Sequence, residues 1–289
     1  MRDLVSEKRM RICRTDDVSK HLSRIDPLDA DADFYNDVSK NREQIYAVSD
    51  EEKTVGLVCI RDDTESFIYV YIFREDRNLG YGSWAVSAAE QQLRSVPLLS
   101  IGTAYDSANE IARSFAEKCG YVKKFSTSVM KYHGKPFEIP ELPIRKYEDR
   151  DFLEAYTMSA EAFHVMRLET GHDPNSVPYA PDDEARQYCA ETAEGRYVYE
   201  VDDEIVGCAY IDGAEIALVS IGISHQGKGL GRNLVKFMVN EILEKGIGEP
   251  FLYCLGVNEK ARRLYDSLGF REIACNAYAV KNLGNESTR

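Results

Sequence analysis

The chain has 289 residues and carries 36 basic against 49 acidic side chains, a formal net charge of −13. Hydrophobic residues make up 44% and charged residues 29%, which is typical of a globular protein with one large domain or two ordinary ones. These features exclude a membrane span, since no run of about 18 apolar residues occurs, and they argue against a protein that binds a phosphate backbone.

The seven cysteines are scattered along the chain and form no C-x-x-C pattern. This spacing favours reduced thiols over a disulfide framework or a zinc site. No group of histidines, cysteines and carboxylates has metal-ligand spacing, so we expect no metal. The first 14 residues lack the apolar core of a secretory signal, and we therefore expect a cytoplasmic protein without membrane or nucleic-acid partners.

The first half of the chain contains two short motifs. REDRNLGYGS at 74–83 includes Arg77-x-x-Gly80-x-Gly82, and NEIARSFAEKCGY spans 109–121. A proline-containing segment, GKPFEIPELPIRKY, follows and predicts an extended linker that divides the chain into halves. Residues 1–139 carry a net charge of −3 and residues 140–289 a net charge of −10, so most of the acidity lies in the second half.

Apolar periodicity predicts alternating strands and helices in the second half. The predicted elements are, in chain order, a strand at Pro143–Tyr147, helices at about 150–165 and 183–194, a hairpin of Arg196–Val201 and Ile205–Ile211, a buried strand at Glu215–Ile223, a helix at Gly229–Lys245, a strand at Phe251–Val257, a helix at Asn258–Leu268 that ends at Gly269, and a final hairpin within 271–282. The first half shows the same order. The predicted fold class is therefore α/β, an α+β mixed sheet layered with helices, present twice.

The strongest motif is a glycine-rich loop between a buried strand and an amphipathic helix. It consists of Gln226, Gly227, Lys228, Gly229, Leu230, Gly231 and Arg232. Backbone amides at a glycine-rich helix start form an anion site, and glycines let a pyrophosphate approach the backbone closely. The spacing differs from the P-loop and from the dinucleotide fingerprint. A turn that merely caps a helix is the simple alternative.

Both motifs of the first half recur in the second half. Arg77 is followed 149 residues later by Gln226, and Asn109 is followed 149 residues later by Asn258. Two separate motifs that share one offset without a gap indicate a duplicated domain.

The strand EIALVSIGI, the loop QGKGLGR and the helix NEKARRLYDSLGF together resemble the GNAT superfamily of acyl-CoA-dependent N-acyltransferases. The resemblance covers 143–282 closely and about 10–132 more loosely. It implies tandem acyl-CoA N-acyltransferase folds, a degenerate domain at 1–137 and an intact domain at 138–289, which together form an internal pseudo-dimer. It also implies that the loop holds the pyrophosphate of acetyl-CoA and that a bulge in the preceding strand admits the pantetheine arm.

The implied cofactor-binding residues are Ile221, Gly222, Ile223, Gln226, Gly227, Lys228, Gly229, Leu230, Gly231, Arg232 and Asn258. Ile221 and Ile223 are expected on one face of the strand, where backbone groups offer hydrogen bonds to pantetheine and to the oxyanion. Asn258 either contacts the pantetheine arm or caps its helix, and the two roles are compatible.

Two catalytic residues follow from the resemblance. Tyr265 occupies the family position of the general acid that protonates the departing thiolate, and packing beside the cofactor is its alternative role. Glu215, in an A-E-I opening eleven residues before Gln226, occupies the position of a base that deprotonates the amine directly or through water. A solvated charge at the strand end is the alternative for Glu215. No cysteine lies at a nucleophile position, so we expect direct transfer.

The first half lacks both catalytic side chains at the same offset. Ala116 corresponds to Tyr265, and Ser66 corresponds to Glu215. The first half therefore either retains CoA through Arg77–Gly82 and Asn109 or serves as a packing partner, and we favour packing.

The acceptor leaves a weaker signal. The second half has an additional 17 residues before its hairpin, and the surrounding segment 161–184 is acidic, with Glu161, Glu169, Asp173, Asp182, Asp183 and Glu184 against Arg167. An acidic lip would attract a cationic amine, whereas a solvated loop is the alternative.

The sequence therefore predicts an N-acetyltransferase that moves an acetyl group from acetyl-CoA to a primary amine of a small molecule or peptide. Two alternatives stay open, a non-catalytic acyl-CoA-binding sensor and, less favoured, a tRNA-dependent aminoacyl transferase. The identity of the amine, of the acyl group and of the oligomeric state is left open.

Overall fold

The computed structural model describes residues 10–15, 17–27, 29–30, 32–51, 53–61, 66–93, 100–170 and 180–283. They fall into two compact units. Unit 1 takes the chain up to Ser126 together with the segment that begins at Cys275, and unit 2 takes Thr127–Ala274. Unit 1 therefore includes a segment from the second half of the sequence, and unit 2 begins before the predicted domain boundary. The predicted domains 1–137 and 138–289 stay a prediction, because they mark the repeat and the units are defined by contacts.

Unit 1 is a mixed sheet with helices on its faces. Its elements are β1 (Met10–Cys13), α1 (Ala32–Ser39), β2 (Ile45–Asp50), β3 (Lys53–Arg61), β4 (Phe67–Ile72), α2 (Tyr81–Leu93), β5 (Ser100–Asp106), α3 (Glu110–Lys118), the first part of β6 (Val122–Tyr132) and the second part of β12 (Phe270–Asn282). The strand order is β1-β2-β3-β4-β5-β12, with β4 and β5 parallel and the other pairs antiparallel.

Unit 2 repeats this plan. Its elements are the second part of β6, then β7 (Ile144–Lys146), α4 (Phe152–Thr170), α5 (Asp183–Glu191), β8 (Arg196–Val201), β9 (Glu204–Asp212), β10 (Glu215–Ile221), α6 (Leu230–Glu244), β11 (Phe251–Leu255), α7 (Glu259–Leu268) and the first part of β12. The strand order is β6-β11-β10-β9-β8-β7, and the parallel pair is β10 with β11. This architecture confirms the predicted α/β mixed-sheet fold.

The core of unit 2 is built on both faces of its sheet. On one face α6 presents Leu234, Met238 and Ile242, spaced four residues apart and fully buried, as the helical period requires. On the other face α4 contributes Phe152 and α5 contributes Cys189 to a smaller cluster. The sheet of unit 2 is thus covered by apolar packing on both faces.

The last strand differs from its prediction. The sequence predicts a hairpin within 271–282, but β12 is one continuous strand of 13 residues. Asn276, a residue typical of turns, pairs in register with Asp106, and the pairing continues to Asn282 opposite Ser100. Partner strand β5 overrides the local turn propensity because it supplies a full ladder of backbone hydrogen bonds.

The parallel strands of each unit separate soon after they meet. Among the described residues, β10 pairs with β11 only at Glu215 opposite Phe251, and β4 pairs with β5 only at Phe67 opposite Gly102. Beyond these points, within the described residues, the strands share no ladder. Both units therefore contain a wedge that opens toward the carboxyl ends of the parallel strands.

Lys281 anchors the terminal strand in unit 1. Its ammonium lies 2.8 Å from both carboxylate oxygens of Glu90, which is buried and also accepts a hydrogen bond from the Tyr121 hydroxyl. We expect Lys281→Met to lower the free energy of unfolding by about 1–3 kcal/mol, because it leaves a buried carboxylate without its cation.

Urea unfolding of the full chain measures this loss. Lys260→Met is the matched control, since Lys260 pairs with Glu169 at the surface and exposed pairs contribute about 0–1 kcal/mol. Equal unfolding midpoints for the two variants would contradict the anchoring role of Lys281.

Candidate active site

The glycine loop of unit 2 is shaped by left-handed backbone. Gly227 has φ 76° and Gly229 has φ 84°, and neither position has an atom within 4 Å of where a Cβ would stand. The Gln226 side chain donates a hydrogen bond of 3.1 Å to the Ile221 carbonyl and so ties the loop to the end of β10. Gln226 thus holds the loop in place.

The amides of this loop are available to a ligand. Among the hydrogen bonds of the described residues, none is donated by the backbone amides from Gly227 to Arg232. Six unpaired N–H groups at the start of a 15-residue helix form an anion site, strengthened by the helix dipole. The predicted pyrophosphate loop therefore has the backbone geometry that its chemistry requires.

Strand β10 carries the expected bulge. Its register with β9 shifts between Ala217 and Ser220, and Leu218 has a left-handed φ of 52°. A bulge bends the strand and removes local pairing. It lies where β10 has already left β11, so it widens the same wedge.

A cavity of about 720 Å³ fills the wedge of unit 2. Nine of the thirteen predicted site residues line it: Ile221, Gln226, Gly227, Gly229, Leu230, Gly231, Arg232, Asn258 and Tyr265. Its other walls come from α4, including Phe163 and Met166, which the sequence analysis did not select. The sequence does not indicate that α4 lines the cavity, because its apolar residues are equally typical of a core helix.

Gly222, Ile223, Lys228 and Glu215 do not line this cavity. The placement of Ile223 on the strand is wrong, because β10 ends at Ile221 and Ile223 begins a short 3₁₀ turn. The Gly222 amide is also engaged, since it donates to the Val206 carbonyl on β9. The role of the backbone groups of Ile221 and Ile223 toward pantetheine and the oxyanion stays a prediction.

Tyr265 lies on α7 and is buried at the inner wall of the cavity. Burial raises the pKa of its hydroxyl above the ordinary value, and the neighbouring Cys254 thiol acts in the same direction. The hydroxyl therefore stays protonated at neutral pH.

Glu215 lies at the opposite end of β10 from the loop. Burial raises the pKa of its carboxyl, and the Asp212 carboxylate across the hairpin raises it further. Both causes favour the proton-bound form, which moves the carboxyl toward the range of a general base at neutral pH.

Helix α7 is held by its cap and by a polar cluster. The Asn258 side chain accepts a hydrogen bond from the Ala261 amide, which confirms the capping alternative while Asn258 still lines the cavity. Arg262, one turn before Tyr265, pairs with Glu272 at 2.8 Å and donates to the Ser128 hydroxyl. The sequence analysis missed this cluster because its members lie far apart in the chain.

Unit 1 repeats the geometry of the loop. Arg77 donates to the Ile72 carbonyl, Asn78 and Gly80 are left-handed, and Asn109 caps α3 through the Ala112 amide. Each of these features lies 149 residues before its counterpart in unit 2. The offset found in the sequence is therefore a repeat of hydrogen bonds and backbone angles.

Unit 1 nevertheless differs where a ligand would lie. The described pairs of β3 with β4 run in register without a bulge, and a methyl group at Gly82 would lie 3.0 Å from the Phe115 ring. The Asp29 carboxylate lies 2.5 Å from the Arg77 guanidinium and accepts a hydrogen bond from Asn109. The Asp29 carboxylate thus binds the two side chains that would face an anionic ligand.

The acidic segment of unit 2 is partly accounted for. Glu169 pairs with Lys260 at 2.8 Å, and Asp182 caps α5 through the Ala185 amide. Asp173 lies outside the described residues.

None of the described helices is both long and apolar enough to span a membrane.

The sequence model of the acetyltransferase (GNAT) family matches residues 12–121 and, separately, residues 159–270. The chain belongs to the GNAT family. One match falls in each half of the sequence, which confirms the predicted tandem arrangement. The membership supports the predicted enzyme class, an acyl-CoA-dependent N-acyltransferase.

Curated relatives cover a small part of this GNAT chain. A mycothiol acetyltransferase of Rhodococcus jostii is 41% identical over 66 residues, 22% of either chain. A mycothiol acetyltransferase of Beutenbergia cavernae is 29% identical over 124 residues, 43% of this chain and 38% of the relative. The matches thus span well under half the length of these relatives.

Solved structures agree with the fold along most of the chain. A GCN5-related N-acetyltransferase from Sphaerobacter thermophilus has a TM-score of 0.74 at 16% identity and covers 96% of this chain and 97% of its own. A tandem GNAT protein from the clavulanic acid biosynthesis pathway has a TM-score of 0.61 at 12% identity and covers 96% of this chain and all of its own.

Glycine at position 229 is testable. We expect Gly229→Ala to raise the Kd for CoA by tenfold or more, because a side chain disfavours the left-handed backbone that aligns the amides. Gly213→Ala is the matched control, since Gly213 is also left-handed with open space but lies in the β9–β10 turn. Calorimetric titration with CoA should show the loss for Gly229 alone, and equal affinities would contradict the anion site.

The two units should differ in CoA binding. We expect calorimetry to give one CoA per chain, because Asp29 already neutralises Arg77 in unit 1. A stoichiometry of two would contradict this account of unit 1.

Proposed function

We propose that the protein is an N-acetyltransferase in which unit 2 moves an acetyl group from acetyl-CoA directly to a primary amine. One observation carries the proposal. In unit 2 a buried tyrosine lines the same cavity as a loop of unpaired amides, whereas unit 1 keeps the loop and has Ala116 in place of Tyr265.

Acetyl-CoA supplies the thioester, and the residues of unit 2 fit it. The amides from Gly227 to Arg232 bind the pyrophosphate, and the wedge between β10 and β11 receives the pantetheine arm. The cavity of about 720 Å³ lies within the size range of small-molecule and cofactor sites. Arg232 also lines the cavity and adds a cationic group near the phosphates.

Glu215 serves as the base for the amine. It lies three residues before Leu218, roughly 10 Å along a strand, and it does not line the cavity, so it takes the proton through water. Its raised pKa suits this task, because a carboxylate with an ordinary pKa near 4 is a weak base.

Tyr265 serves the departing sulfur. A thiol has an ordinary pKa of about 8.5 and a tyrosine of about 10, and burial raises the value for Tyr265, so complete transfer to a free thiolate would be uphill. The hydroxyl therefore acts by donating its hydrogen bond as negative charge develops on sulfur. The proton that the attacking amine releases goes through water to Glu215, and the departing CoA thiolate gains a proton from solvent, so the overall transfer balances.

Unit 1 has no catalytic role in this proposal. It lacks the bulge, the base and the acid, and its loop cation is neutralised by Asp29. The names of the curated relatives, mycothiol acetyltransferases, support acetyl as the transferred group. They match too little of the chain to identify the acceptor.

Removal of one hydroxyl tests the proposal. We expect Tyr265→Phe to lower kcat by about 10²–10³-fold with an unchanged Kd for CoA, because it removes only the hydrogen-bond donor to the departing sulfur. Tyr132→Phe is the matched control, since Tyr132 packs against the same Phe270 ring but bonds to the Lys135 carbonyl. The assay is thiol release from acetyl-CoA across a panel of amines.

Three outcomes would contradict the proposal. Wild-type protein that binds CoA but consumes acetyl-CoA with no amine would favour a non-catalytic acyl-CoA sensor. Equal rates for Tyr265→Phe and wild type would exclude a role for the Tyr265 hydroxyl in the departure of the thiolate. Salt-sensitive binding of tRNA would favour an aminoacyl transferase.

The role of Glu215 predicts a shift in pH dependence. Asp212 raises the pKa of Glu215 by like-charge repulsion, so Asp212→Asn should lower that pKa. The base is then deprotonated at lower pH, and the acidic limb of kcat should move to lower pH. The profile is measured with the same amine for both proteins. An unmoved limb in Asp212→Asn, together with full activity of Glu215→Gln, would exclude Glu215 as the base.

A further inference from the structure

Unit 2 contains a second cavity beside the first. It measures about 460 Å³ and lies among α4, α5 and the β8–β9 pair. The two cavities share Phe163, and the second reaches Leu218 in the bulge. Between them stands a hydrogen-bonded group in which the Ser220 hydroxyl contacts Ser159 at 3.0 Å and Cys208 at 3.1 Å. An acceptor in the second cavity would therefore lie next to the cavity that the proposed function assigns to acetyl-CoA.

An arginine without a carboxylate partner lines this cavity. Arg196 donates through Nε to the Thr192 hydroxyl, and its guanidinium lies about 5 Å from the ring centres of Tyr188 and Tyr210. No carboxylate in the described part of the chain lies within ion-pair distance of it. Its remaining N–H groups form the planar fork that binds a carboxylate in a bidentate manner.

A tyrosine hydroxyl in the same cavity also needs a partner. Tyr147 is 7% exposed, and its hydroxyl is buried without a hydrogen bond. Burial raises the pKa of this hydroxyl to about 12, and the positive charge of Arg196 acts on it in the opposite direction. A buried hydroxyl left unpaired costs free energy, so its position beside an arginine indicates a ligand oxygen.

The rest of the cavity is apolar and acidic. Aromatic rings, among them Phe152, Tyr156 and Tyr197, form part of its wall. The carboxylates of Asp182 and Glu184 also line it. Two carboxylates against one arginine disfavour a simple anion and favour a ligand that carries both charges.

We propose that the second cavity binds the acceptor and that the acceptor is a zwitterionic α-amino acid with an apolar, aromatic side chain. This inference rests on the proposed function. Arg196 and Tyr147 hold the carboxylate, the aromatic wall holds the side chain, and Asp182 and Glu184 attract the ammonium form into the cavity. The amine then faces the wall of Ser220, next to the donor.

Binding of three small probes tests the inference on the full chain by calorimetry. The probes are L-phenylalanine, phenethylamine, which lacks the carboxylate, and 3-phenylpropionate, which lacks the amine. We expect L-phenylalanine to bind at least tenfold more tightly than either analogue. Arg196→Gln should weaken L-phenylalanine by tenfold or more and leave phenethylamine unchanged, and Tyr147→Phe should weaken L-phenylalanine several-fold.

Arg186→Gln is the control for loss of positive charge, because Arg186 pairs with Asp149 and does not line the cavity. Phenethylamine that binds as tightly as L-phenylalanine, or an Arg196→Gln variant that weakens all probes equally, would overturn the inference. If either result is found but another amine is acetylated, the inference fails and the proposed function survives. If L-phenylalanine binds through Arg196 but no amine consumes acetyl-CoA, the inference survives and the proposed function fails.

Discussion

The separation of two parallel strands is the constraint on which this molecule depends. Strands β10 and β11 meet at Glu215 opposite Phe251 and then diverge, so their inner edges lose backbone partners. Unpaired strand edges inside a domain are costly unless a ligand or a side chain satisfies them. The bulge at Leu218 and the loop after Ile221 both lie on the diverging part of β10, and each serves to keep the wedge open.

The two units contain the same wedge but differ in the residues around it. Unit 1 retains the separated strands, the left-handed loop and the asparagine cap, so these features suffice to build the fold. Its described β3–β4 pairs show no bulge, and Asp29 and Phe115 line the cavity of about 450 Å³ beside its loop, where Asp29 pairs with Arg77. The two units thus share an architecture and differ at a few local positions beside the loop.

Much of this was predictable from the sequence, because the evidence was local. The loop, the helix cap at Asn258 and the left-handed Gly269 each depend on residues within a few positions of one another. The missed features depend on distant partners. The turn propensity of Asn276 yielded to strand β5, and the apolar pattern of α4 gave no sign that Phe163 lines a cavity. Arg196 was unnoticed because an arginine at a strand start is usually solvated, and only the fold reveals that none of the described carboxylates pairs with it.

A crystal structure of the protein grown with CoA tests the central claim most directly. The account predicts the pyrophosphate on the amides between Gly227 and Arg232, and the sulfur within about 3.5 Å of the Tyr265 hydroxyl. The corresponding loop of unit 1 should hold no CoA. A sulfur remote from Tyr265, or a CoA bound in unit 1 alone, would contradict the assignment of unit 2 as the catalytic unit.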